Sequence, residues 1–94
     1  MKPEAKVKKQ CKAVLDSIGA YYFFPIASAM GRAGVPDIVG CHKGRFFGIE
    51  CKAGNNKTTG LQDAQLEKIA TAGGIAMVVY EHNVESIRHE LEKT

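Results

Sequence analysis

The stretch "GVPDIVGCHKGRFFGIECK", Gly34 to Lys52, decides how this chain is read. Two runs of strand-forming residues, about Asp37 to His42 and Arg45 to Lys52, are joined by Lys43-Gly44. A two-residue connection of this kind predicts a tight hairpin. His42 then pairs with Arg45, and pairs further out keep a constant sum of residue numbers, so Asp37 falls opposite Glu50. Directly opposed residues share a face, with Cβ atoms roughly 4.5–5.5 Å apart. Alternation along the strand adds Lys52 to that face and sends Phe47, Ile49 and Cys51 to the other. Gly48 is expected to clear space beside the charged groups.

Two carboxylates opposed across a sheet repel each other, and burial sharpens the cost. One arrangement avoids this by leaving Asp37, Glu50 and Lys52 on a solvated face, where charged residues usually lie. The other places a divalent cation between the acids, and a site of two carboxylates, waters and a substrate phosphate suits Mg²⁺.

Working outward, residues 4 to 18 carry Val7, Cys11, Val14, Leu15 and Ile18 as one apolar stripe at helical spacing, ended by Gly19. Tyr21 to Ile26 reads as a strand interrupted by Pro25, followed by the small-residue loop "ASAMGRAG". After the polar loop "AGNNKTTG", a helix is predicted over Leu61 to Ala72, with Thr59 as N-cap and Gln62 completing a capping box. Gly73 and Gly74 stop it, and the apolar run Ile75 to Tyr80 predicts a strand covered on both faces. Asn83 is expected to cap a last helix bearing Val84, Ile87 and Leu91. The order α-β-β-β-α-β-α predicts an α/β (α+β) fold, a mixed sheet flanked by helices.

Ninety-four residues correspond to one domain, 1–94, with a single core. The longest apolar run is far too short to span a bilayer, and no signal-like segment follows the basic start. A cytoplasmic protein without a membrane partner is therefore expected. Cys11, Cys41 and Cys51 lack metal-site spacing and read as small buried thiols. The net charge of +3 is compatible with a polyanionic partner without requiring one.

Three features bear on the acidic hairpin. Glu4 lies on the inward stripe of the first helix and could reach the sheet as a third carboxylate; first-turn placement against the helix dipole explains it equally well. Gln65, between Leu61 and Ile69 on an apolar stripe, needs a buried partner. Lys2, Lys6 and Lys9 share a helical face, with Arg32, Lys57 and Lys52 near them in the pattern.

Pro36-Asp37 followed by Glu50-Cys51-Lys52 resembles the signature of PD-(D/E)xK nucleases. With Gly31-Arg32, "GVPDIVG", "GIECKAG", Gln65 and the later Gly-Gly, the chain resembles small stand-alone (phage-type) members of the VRR-NUC branch along nearly its whole length. The resemblance implies a restriction-endonuclease-like core and metal-dependent hydrolysis of DNA phosphodiesters. It implies Mg²⁺ or Mn²⁺, one or two ions, held by Asp37, Glu50, the backbone carbonyl of Cys51 and Glu4. Lys52 would orient or deprotonate the attacking water or stabilise charge on the phosphate, with Gln65 in support. Lys6, Lys9, Ser28, Arg32 and Lys57 would contact nucleic acid. The expected partner is branched DNA, such as four-way junctions or flaps, bound by a homodimer with no small-molecule cofactor. A non-catalytic DNA-binding module on the same fold, or an interaction domain with a decorative acid cluster, is the competing expectation.

Overall fold

The structure, a computed structural model, describes residues 3–26 and 33–93. A first helix, α1 (Pro3–Ile18), leads into strand β1 (Tyr21–Phe23); β2 (Ile38–His42) and β3 (Arg45–Cys51) follow as a hairpin. Helix α2 (Gly60–Thr71), strand β4 (Ile75–Val79), a single 3-10 turn (Glu81–Asn83) and helix α3 (Ser86–Glu92) complete the chain. The domain is α+β, with one four-stranded mixed sheet in the order β1-β2-β3-β4 and three helices. Strands β1/β2 and β2/β3 are antiparallel, while α2 carries the chain across so that β4 runs parallel to β3. Among the described residues no helix is long and apolar enough to cross a membrane.

The hairpin turns as its residues require. Lys43 and Gly44 both take positive φ, 52° and 79°, the pairing of a two-residue turn whose twist matches the strands it joins. Register runs from His42 opposite Arg45 to Ile38 opposite Ile49. Gly40 allows β1 to approach, because a Cβ there would lie 2.0 Å from the Tyr21 carbonyl oxygen and 2.8 Å from Phe47 Cζ.

The core forms on one side of the sheet. Val7, Cys11, Val14 and Leu15 of α1, with Ile87 and Leu91 of α3, bury against Ile38, Phe47, Ile49, Cys51 and Val79. Arg45 ties α3 to the hairpin by donating to the carbonyl oxygens of Glu90, Leu91 and Lys93, where the last carbonyls of a helix have no intrahelical partner. Among the described residues, α2 covers the opposite side of β3 and β4. The space expected at Gly48 is occupied there: a Cβ would stand 2.6 Å from Ile69 Cδ1 and 3.0 Å from Pro36 Cγ.

Four expectations need correction. Strand β1 ends at Phe23, before Pro25, whose missing N–H cannot continue a ladder. Strand β4 has helices on both sides, yet Ile75 to Val78 are only half-buried because β4 forms the sheet edge. Asn83 does not cap α3; its side chain turns back to accept from the Tyr80 N–H at 2.7 Å and closes the 3-10 turn. Cys41 is exposed, whereas Cys11 and Cys51 are buried.

Candidate metal centre

Continuing the hairpin register by one pair from Ile38–Ile49 sets Asp37 against Glu50, at the end of the sheet where β2 begins and β3 finishes. The first turn of α1 brings Glu4 to the same place. Carboxylate oxygens of Glu4, Asp37 and Glu50 lie within 4.8 Å of one another. The three acids are separated by up to 46 positions in sequence, so their convergence is a product of the fold.

Each acid is held differently. Asp37 Oδ2 accepts the backbone N–H of Cys51 at 2.8 Å, and its Oδ1 lies 3.6 Å from Lys8 Nζ. Glu50 is only 2% exposed, and its Oε2 accepts from Gln62 Nε2 at 3.1 Å and sits 3.5 Å from Lys52 Nζ. Lys52, 8% exposed, lies beside it as the second buried charged residue among those described. Burial raises the Glu50 pKa to about 7, with the nearby Asp37 charge adding to it and Lys52 pulling the other way. Burial disfavours the charged form of a carboxyl, and a like charge beside it adds to the cost.

Gln62 serves two partners at once. As the third residue of α2 its Oε1 accepts the Thr59 N–H at 2.9 Å, while Thr59 Oγ1 accepts the Gln62 N–H at 3.2 Å, completing the expected capping box. That bond fixes the amide so that its Nε2 donates to Glu50. Gln65, the glutamine that the resemblance places in support of the site, lies one turn further on. It is half-buried in a groove with Phe46, Lys68, Ile69, Ala72 and Gly74, while Gln62 is the glutamine that bonds to Glu50. The inward stripe of α2 runs through Gln62, Gln65, Leu66 and Ile69, while Leu61, the first residue of the expected stripe, is exposed.

Cys51 contributes backbone to the centre and side chain to the core. Its N–H engages Asp37, and its sulfur lies 3.8 Å from that of Cys11. Contact with Cys11 and then burial push the Cys51 thiol pKa up, so it stays neutral.

Of the expected nucleic-acid residues, Lys6, Lys9 and Lys57 are described, and none of the three pairs with an acid of the centre. Lys6 pairs with Glu81 at 2.9 Å, and Lys6 and Lys9 line a shallow groove with Gln10 and Ala13. Lys57 is exposed in the loop between β3 and α2. That loop is tied down by Tyr80, whose hydroxyl donates to the Asn56 carbonyl at 2.8 Å. Lys2, Ser28 and Arg32, together with Gly31, lie outside the described residues.

Two residues at the centre were not anticipated. Lys8 stands four residues after Glu4, the spacing that puts two side chains on one helical face. Gln62 fills a local capping role and a second one at Glu50, and only the first follows from its position in the sequence. The three carboxylates form an all-oxygen donor set of the kind hard divalent cations prefer. Neither a family model nor a curated protein matches this chain.

Proposed function

We propose that this chain is a Mg²⁺- or Mn²⁺-dependent endonuclease that hydrolyses DNA phosphodiesters, selective for branched structures and acting as a homodimer. The observation that carries the reading is the convergence of Glu4, Asp37 and Glu50 beside a nearly buried lysine, Lys52. The order of elements, and the placement of Pro36-Asp37 and Glu50-Cys51-Lys52 on one hairpin, support the resemblance to a PD-(D/E)xK core.

The donor set fits the ion that the resemblance implies: three carboxylates in reach of one another, one of them with a pKa raised by burial and then by the neighbouring Asp37. A bound divalent ion there supplies Lewis acidity toward a phosphate oxygen and makes hydroxide available near neutral pH. The protein's own groups do the rest. Asp37 is aimed by the Cys51 N–H and Glu50 by Gln62, so both carboxylates are set before any ligand arrives. Lys52 holds its ammonium at the edge of the cluster, where it can stabilise charge growing on the phosphate and orient the attacking water.

Dimerisation is supported by an apolar face on the sheet. Tyr21, Phe23, Cys41 and Phe46 lie on the side that α2 covers only over β3 and β4, and the three aromatics are 71%, 51% and 48% exposed. Contiguous apolar surface of this kind marks interaction sites.

The deciding experiment incubates the protein with a labelled four-way junction, a flap and a linear duplex, each with Mg²⁺, Mn²⁺ or EDTA. Metal-dependent cutting of the branched substrates, lost in Asp37→Ala and Lys52→Ala variants that still fold, is the expected result. Cleavage in EDTA, or binding of DNA with no cleavage under either metal, overturns it.

A further inference from the structure

The lysines of the centre differ in how they are held. Lys52 and Glu50 form a pair with side chains 10% and 3% exposed, locked between α2 and the sheet. The Lys8 side chain is 38% exposed and touches Asp37 from the solvent side at 3.6 Å. It meets Oδ1, while the other carboxylate oxygen is engaged by the Cys51 N–H. Lys8 shares the face of α1 that carries Glu4, whereas Lys6 and Lys9 open onto the groove with Ala13.

Charge explains what such a lysine can do. Three carboxylates and two ammonium groups leave the cluster with a formal charge of one negative. A divalent cation on the carboxylates turns that into one positive, which repels Lys8 from Asp37 and attracts a phosphodiester. We propose that Lys8 is an exchangeable counter-ion. It neutralises Asp37 while the centre is vacant, and transfers its ammonium to a backbone phosphate of the DNA when a divalent cation takes its place. The inference rests on reading the site as a phosphodiesterase centre, and it adds a second phosphate-binding lysine to Lys52.

The proposal makes two measurements move in opposite directions. Lys8→Gln removes a competitor for Asp37, so the affinity for Mn²⁺ in the absence of DNA, read by titration calorimetry or by loss of the free-ion EPR signal, rises about two- to five-fold. The same variant loses a charge-assisted phosphate contact, so a labelled four-way junction binds about ten-fold more weakly. Binding is measured in Ca²⁺ under conditions where gels show intact DNA, and the slope of log affinity against log salt falls in magnitude by about one. Lys8→Arg keeps the charge and restores the DNA affinity and the salt slope. Melting temperatures of both variants should match that of the parent protein. If Lys8→Gln leaves metal and DNA affinity unchanged, or lowers both together, the role of Lys8 is overturned. A parent protein that binds no Mn²⁺ and cuts no DNA overturns the nuclease reading itself.

Discussion

Glu50→Gln tests the electrostatics of the centre without reference to any substrate. Glu50 is almost fully buried, and its pKa is raised from 4.5 to about 7, chiefly by burial and then by Asp37. A folded-state pKa above the unfolded one means that the folded chain binds more protons between these limits. Stability is therefore fully present below about pH 4.5 and is lost as pH rises through 7. The shift corresponds to about 3 kcal/mol at pH 8. Glutamine keeps the shape of Glu50, and its carbonyl can still accept from Gln62, but it carries no charge to bury. In EDTA the variant should match the parent protein near pH 4.5 and exceed it by about 3 kcal/mol at pH 8, read by denaturant unfolding. That gap corresponds to roughly 12–24 °C in melting temperature for a domain of this size. Adding Mn²⁺ at a hundred times its dissociation constant should stabilise the parent by about 2.7 kcal/mol and the variant far less. A stability gap that does not change with pH, or no gap at pH 8, would refute the argument that Glu50 is held ionised at a cost.

The two glutamines of α2 can be told apart. Gln62→Ala removes the amide that completes the capping box and donates to Glu50, at a cost of about 1–2 kcal/mol and with loss of metal-dependent cleavage, whereas Gln65→Ala should spare cleavage. Gly40→Ala should destabilise the fold by about 3 kcal/mol or more, because the new methyl meets the Tyr21 carbonyl and the Phe47 ring; chemical denaturation measures it. Phe23→Glu puts a charge on the open aromatic face, and sedimentation velocity should then show a monomer with unchanged helix content. A dimer that persists in that variant would move the interface elsewhere.

What could be read in advance divides along a physical line. The hairpin was legible because a two-residue turn sets register locally, and counting outward from Lys43-Gly44 needs no knowledge of the rest of the chain. The α1 stripe with Cys11 was legible because helical period places it inward, and Cys51 because strand alternation sends it to the face opposite Glu50. Residues whose placement depends on how one element lies over another were not. Helical spacing puts Leu61 on one stripe with Gln65 and Ile69, but α2 is rotated so that Leu61 faces solvent and Gln62 turns inward beside Gln65. Strand β4 read as doubly covered because apolar content reports helices on its faces and says nothing of an open edge.

Lys8 follows from Glu4 by a local rule. A glutamate suspected of pointing at the sheet should make the residue four positions later a suspect as well, since both lie on one helical face. Glu4 and Lys8 do both reach the cluster, one as a carboxylate among carboxylates and the other as a cation against Asp37. The first turns of α1 that bring Glu4 to the carboxylate cluster thus also bring a cation that partly offsets its charge. The Lys8–Asp37 pair is too exposed to add much stability, so Lys8→Gln is expected to show itself in metal and DNA affinity and not in melting temperature.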